Sequence, residues 1–202
     1  MNVFFDLDGT LIDSRLRLYQ LFQDLVSNSN LTFSDYWDLK RNKINHKKIL
    51  TTNFAYTEKD LLLFEDKWMK KIENEKYLDL DTPFLDTTSF LNGLASSHKL
   101  FVITARQFEK SALNQIIKLG WENIFSMVLV TKQKKDKYSL IKDNVTLTPD
   151  DWIIGDSGID IITGKLLKIN TAAVLSGFLN KKQLSLYQPN VILNNVINFN
   201  YG

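Results

Sequence analysis

Residues 2–10 read Asn2-Val3-Phe4-Phe5-Asp6-Leu7-Asp8-Gly9-Thr10. The apolar and aromatic run, stopped by Gly9, has the length and composition of a buried strand. Two carboxylates close it. Side chains two apart on a strand share a face, so Asp6 and Asp8 project together from the strand's tip. Burying such a pair is costly without a partner, and a hard cation such as Mg²⁺ is the natural partner for clustered carboxylates. Gly9 permits a sharp exit. Thr10 offers an anion its hydroxyl and backbone N–H. A solvated acidic turn at a strand end would read the same way, so the rest of the chain has to decide.

From residue 14 to about 77 the pattern is helical. Leu18, Leu21, Phe22 and Leu25 recur at spacings of three and four, as do Leu61, Phe64, Trp68 and Ile72. Thr57 followed by Asp60 is a helix-start signal. After Asp81-Thr82-Pro83 the texture changes. Short apolar runs at 100–103, 127–130, 152–154, 172–175 and 191–193 alternate with helical stretches such as 108–119 and 136–143. Strands alternating with helices predict a three-layer α/β/α, Rossmann-like core with a parallel sheet. The expected organisation is a core of residues 1–13 and 83–202 with an all-helical insertion, 14–82. Because the insertion follows the first strand directly, it is expected over the carboxyl end of the sheet, where open α/β sheets bind ligands.

Three further stretches carry chemistry. Thr104-Ala105-Arg106 puts a hydroxyl at a strand end, next to backbone N–H groups able to hold a phosphoryl oxygen. The basic run Lys132-Gln133-Lys134-Lys135-Asp136-Lys137 opens the following helix and offers the fixed cation that a transferring phosphate needs among acidic groups. Gly155-Asp156-Ser157-Gly158-Ile159-Asp160 adds two carboxylates at another strand end. Asp156 is placed to ligate a metal, and Asp160 to orient the lysine or a metal-bound water. Taken singly, each has a plainer reading: a threonine near a helix start, solvated lysines, and a helix N-cap.

Taken in order, Asp, Thr, Lys and Asp/Asp stand at the ends of four successive strand-like runs. In this the chain resembles the haloacid dehalogenase superfamily, through Asp6-x-Asp8-Gly9-Thr10, Thr104, a lysine in the 134–137 run and Gly155-Asp156-x-x-x-Asp160. The Leu11-Ile12-Asp13-Ser14 continuation looks like its phosphoglycolate phosphatase and β-phosphoglucomutase branch, and residues 14–82 fall where that superfamily carries a helical cap of the first type. The resemblance implies a Mg²⁺-dependent phosphatase acting on a small-molecule phosphomonoester. Asp6 would be the nucleophile and Asp8 the general acid/base. Thr104 and Lys137, or alternatively Lys134, would hold the phosphoryl oxygens with Gly9, Thr10, Ala105 and Arg106. Asp6, the backbone carbonyl of Asp8 and Asp156 would hold the Mg²⁺, and Asp160 would fix the lysine. An acid at position 8 suits a phosphate ester, whose leaving oxygen needs a proton. A phosphomutase of the β-phosphoglucomutase type would share every motif, and an inactive binding module on the same fold is the remaining alternative.

In the insertion, residues 36–47 form the richest polar and aromatic stretch, with Arg41 the candidate substrate contact. An exposed basic helix face around a packed Trp37 fits the same residues. His46 and His98 are expected to be incidental.

Bulk properties exclude other classes. The 202 residues carry a formal charge of only +2, too little for a general nucleic-acid binder. The chain lacks cysteine, which removes thiol nucleophiles, disulfides and zinc–thiolate sites. The start turns acidic by residue 6 and shows no signal-peptide pattern, and no apolar run approaches the roughly 20 residues of a membrane helix. These features lead to the expectation of a cytoplasmic monomer or homodimer with no nucleic-acid or membrane partner.

Overall fold

A computed structural model of the chain describes residues 1–200. The first strand, β1 (Asn2–Phe5), leads through the acidic turn into β2 (Ile12–Asp13). The chain then forms five helices in succession: α1 (Arg15–Leu25), α2 (Phe33–Arg41), α3 (His46–Phe54), α4 (Glu58–Lys71) and α5 (Glu75–Leu78). It returns through β3 (Thr82–Pro83), which pairs antiparallel with β2, Ile12 opposite Pro83 and Asp13 opposite Thr82. This two-residue ribbon is where the helical insertion leaves and rejoins the sheet-bearing part of the chain. The α4 start signal forms as a reciprocal pair: the Asp60 N–H donates to Thr57 Oγ1 at 3.3 Å, and the Thr57 N–H to Asp60 Oδ2 at 2.9 Å.

Strands and helices then alternate: α6 (Thr87–Ala95), β4 (Lys99–Thr104), α7 (Glu109–Lys118), β5 (Met127–Val130), α8 (Lys137–Asn144), β6 (Trp152–Gly155), α9 (Gly158–Leu167), β7 (Asn170–Val174), α10 (Lys181–Ser185) and β8 (Val191–Leu193). Six strands form one sheet in the order β5-β4-β1-β6-β7-β8, and every pairing in it is parallel. From β1 the chain builds outward to one side through β4 and β5, then crosses to β6 on the other. That reversal opens a crevice at the carboxyl ends of β1, β4 and β6.

Strand alternation sorts the core into two layers. Val3, Phe5, Leu100, Val102 and Ile154 point to one face and pack with Leu91 and Leu94 of α6, Ile116 of α7 and Trp121. Phe4, Phe101, Ile103 and Ile153 point to the other and pack with Ile141 of α8. Phe4 and Phe101 stack at 4.8 Å between ring centroids. The sheet is thus sandwiched between helices, a three-layer α/β/α architecture. The insertion has a core of its own, built from Leu18, Phe22, Val26, Tyr36, Trp37, Ile49, Leu50, Leu61 and Phe64. Its buried Trp37 meets Phe178 of the core at 5.4 Å. Among the described residues no helix is long and apolar enough to cross a membrane.

Trp121 is fully buried, and its indole N–H donates to Thr88 Oγ1 at 3.0 Å. Trp121→Ala removes this packing and leaves a cavity, so it should cost about 3–5 kcal/mol in urea denaturation. A loss below about 1 kcal/mol would show that the α6/α7 layer does not carry the core as described.

Candidate active site

The turn after β1 is built by the backbone around one carbonyl. Leu7 O accepts from the N–H groups of Thr10, Leu11 and Ile12 at 3.3, 3.0 and 3.1 Å, and Asp6 N donates across to Ile154 O at 2.9 Å. Gly9 sits at φ 83°, which a residue with a Cβ adopts only under strain, and a Cβ there would lie 2.4 Å from Asp156 Oδ2. Gly177 is as constrained from the other side: its Cβ would lie 1.9 Å from the same oxygen. The two glycines leave room for one carboxylate, and the Phe178 N–H donates to Asp156 Oδ2 at 2.6 Å.

Asp6, Asp156 and Asp160 are all buried, each with an oxygen within 4.8 Å of the others. A single ammonium faces them. Lys137 Nζ donates to Asp6 Oδ1 at 2.7 Å and to Asp160 Oδ1 at 2.6 Å. Asp160 is otherwise engaged by Ser157, whose N–H and Oγ donate to its Oδ2 at 3.2 and 2.7 Å. It therefore holds the lysine rather than facing the crevice. Burial pushes the Asp6 carboxyl up to about 6 against the pull of Lys137. Burial, with the Asp6 and Asp160 carboxylates, pushes Asp156 well above the usual range. Lys137 is held above its ordinary value because the two carboxylates outweigh its own burial. Three carboxylates against one ammonium leave a buried surplus of negative charge, and this oxygen-only donor set fits a hard divalent cation. Of the two candidate lysines, the structure puts Lys137, in the first turn of α8, at this cluster and leaves Lys134 exposed in the preceding loop.

Asp8 points elsewhere. Arg106 grips its carboxylate in a bidentate pair, Nε to Oδ2 and Nη2 to Oδ1, both at 2.9 Å. Arg17 of α1 adds a second guanidinium at Oδ1. Asp81 joins the group, with Arg17 Nε at 3.1 Å, Arg106 Nη2 at 3.3 Å and Gln115 Nε2 at 2.9 Å. Burial would raise the Asp8 carboxyl, but the Arg106 and Arg17 charges outweigh it and hold Asp8 well below the usual range. Asp81 goes the other way: burial pushes it up to about 6. Neither Arg17 nor Asp81 stood out in the sequence. Each flanks the β2/β3 ribbon, and only that pairing brings them together.

A cavity of about 290 Å³ opens between these groups, lined by Asp6, Asp8, Thr104, Ala105, Arg106, Lys137 and Asp156 from the sheet side. The insertion supplies the opposite wall: Arg17, Leu18, Trp68, Met69, Ile72 and Glu73. Glu73 also fixes the loop after β4, accepting from the N–H groups of Gln107 and Phe108 at 2.6 and 3.1 Å. Thr104 is the last residue of β4 and buried. Thr10, also buried, is held in the turn by its N–H, beside Gly9. Arg41, the expected substrate contact, is not among the lining residues. Its Nη1 donates to Leu175 O at 3.1 Å, which ties the end of α2 to the loop after β7. His46 lies in the insertion core, its Nε2 2.9 Å from the Tyr36 hydroxyl, and His98 lies outside the cavity.

The fold is shared with solved structures of low sequence identity. A candidate phosphatase from Clostridium difficile superposes with a TM-score of 0.79 at 20% identity, covering 96% of this chain and 94% of that one. A candidate phosphoglycolate phosphatase from Haemophilus somnus gives 0.74 at 17%, again covering 96% and 94%. The YfnB protein from Bacillus subtilis, described as bound to magnesium, gives 0.65 at 18% over the same shares. None of the curated proteins matches. The model of haloacid dehalogenase-like hydrolases matches residues 3–174, most of the chain, and the protein belongs to that family.

Proposed function

We propose that this protein is a Mg²⁺-dependent phosphatase that hydrolyses a small-molecule phosphomonoester through an aspartyl-phosphate on Asp6. The observation that carries this reading is the buried cluster in which Lys137 bridges Asp6 and Asp160 while Asp156 faces them without a cation of its own. Asp6, the backbone carbonyl of Asp8 and Asp156 would hold the Mg²⁺. When bound, the ion supplies positive charge that offsets repulsion between the Asp6 carboxylate and the phosphoryl oxygens.

The chain's own groups divide the remaining work. Lys137 fixes Oδ1 of Asp6, so the carboxylate is oriented before substrate arrives. Asp6 attacks phosphorus, which splits one hard displacement into two easier ones. Thr104, Lys137 and the N–H groups of Ala105 and Arg106 take the phosphoryl oxygens as charge spreads over them. Asp8 protonates the leaving oxygen and then accepts a proton from the attacking water, help typically worth about 10²–10⁴ in rate. The guanidiniums now on Asp8 also line the cavity that a phosphoryl dianion would enter. As the dianion draws them off, the half-buried Asp8 carboxyl would rise in pKa and could carry the proton.

The helical insertion fits the part of a substrate-selecting cap, since Trp68, Met69, Ile72 and Glu73 roof the cavity opposite Asp6. The Bacillus subtilis protein is described as showing interdomain movement. A hinge at the two-residue β2/β3 ribbon would give this chain the same freedom.

Phosphate release should be screened over sugar phosphates, phosphoglycolate, nucleotides and phosphoamino acids, with and without Mg²⁺. Wild-type protein should release phosphate from at least one ester only with the metal, and Asp6→Asn should abolish release while keeping the circular dichroism spectrum. Full activity in Asp6→Asn removes the nucleophile assignment. Calorimetric titration with Mg²⁺ should give one site in the wild type and a loss of affinity in Asp156→Asn. Equal affinity in the two proteins would take Asp156 out of the ligand set.

A further inference from the structure

The loop between β5 and α8 holds a second peculiarity beside Lys137. Lys132 and Gln133 both lie in the left-handed backbone region, at φ 54° and 57°. Neither is glycine, asparagine or aspartate, and side chains of their kind enter that region at a cost. Two in succession persist only where the surroundings enforce them, and such strain concentrates at functional sites. The enforcing contacts are visible. The Thr131 N–H donates to Thr104 O and the Lys132 N–H to Arg106 O, both at 3.0 Å. Lys132 Nζ is anchored on Glu109 Oε2 at 2.5 Å, and the Gln133 N–H donates to Thr131 Oγ1 at 3.3 Å.

At this strained turn the Gln133 side chain lines the rim of the catalytic cavity. There Nε2 donates to Ala105 O at 2.9 Å. This bond fixes which end of the amide faces which way, and the carbonyl Oε1 accepts no hydrogen bond from the described residues. Trp68, Met69 and Ile72 are apolar, Glu73 is committed to two backbone N–H groups, and the guanidiniums pair with Asp8 and Asp81, while the buried Arg106 Nη1 and Ser14 Oγ, also in the lining, have no hydrogen-bond partner among the described residues. Beside the apolar wall, Gln133 Oε1 is a fixed neutral acceptor, which can bond a hydroxyl but not a carboxylate.

We infer that Gln133 is a specificity-determining residue whose Oε1 accepts a hydrogen bond from a hydroxyl of the leaving group. The favoured substrates are then hydroxyl-bearing phosphomonoesters, the polyol and sugar phosphates, rather than phosphorylated acids. The inference rests on the phosphatase reading above. A purely structural Gln133, serving only as a staple to Ala105, is the alternative to be separated from it.

The test uses Gln133→Gly and Gln133→Ala in the full chain. Kinetics are measured with glycerol phosphate and a hexose phosphate against phosphoglycolate and p-nitrophenyl phosphate, and stability by urea denaturation. Loss of one neutral hydrogen bond should lower kcat/KM for the hydroxylated esters relative to the other two by roughly three- to ten-fold, mainly through KM. Gln133→Gly relieves the left-handed strain and Gln133→Ala keeps it, while both lose the bond to Ala105, so the glycine variant should be the more stable of the two and both should show the same shift in ester preference. A staple alone predicts the same fractional change for every ester. That result, or an unchanged preference, overturns the inference while leaving the phosphatase reading intact. Absence of phosphate release from every ester by the wild type removes both.

Discussion

The Lys137 ammonium, held between Asp6 and Asp160 in the interior, is the interaction on which the rest of the site depends. Charges are expensive to bury, and a buried pair that loses one partner typically costs about 3–5 kcal/mol. The fold spends three strand ends on keeping this group together. β1 delivers Asp6, the start of α8 after β5 delivers Lys137, and the start of α9 after β6 delivers Asp160. The strand order makes this possible, because β1 lies between β4 and β6, so loops far apart in the chain converge over one tip. The lysine neutralises only part of what it faces. Asp156, wedged between Gly9 and Gly177, remains as the surplus that suits the cluster to a divalent ion.

A second charge group organises the other side of the cavity. Asp8, Arg106, Arg17 and Asp81 form a compensated quartet, two carboxylates and two guanidiniums, three of them almost completely buried. Arg106 and Asp8 belong to the sheet side, while Arg17 and Asp81 lie at the root of the helical insertion. The quartet therefore ties the insertion to the turn after β1 through charge, next to a ribbon only two residue pairs long. Cavity and insertion are linked again where Glu73 holds the loop carrying Arg106 and Gln107.

Much of this was readable from the chain. The apolar runs gave all six sheet strands because each is short, β-branched or aromatic, and bounded by turn residues. Asp6, Thr104, Asp156 and Asp160 could be placed because each follows such a run directly, and strand ends converge in a parallel sheet. Lys137 and Lys134 could not be separated by spacing. The structure separates them through Asp136, whose carboxylate caps α8 and turns the next residue inward. Arg17 and Asp81 were illegible because their meeting depends on a two-residue ribbon, too short to show any periodicity. Arg41 was misplaced because its chemistry suits an anion, whereas its helix end docks on the loop after β7. Gln133 sat in plain view in a basic run, but left-handed backbone in a non-glycine residue leaves no mark on sequence.

The most direct measurement is to trap the phosphoenzyme. Protein quenched in acid during turnover, reduced with borohydride to convert an acyl-phosphate and mapped by peptide mass spectrometry should carry the modification at Asp6 and nowhere else. Modification at a different residue, or turnover with no trapped intermediate under conditions where hydrolysis of the phosphoenzyme is slowed, would contradict the assignment of Asp6 as the group that Lys137 holds ready for attack.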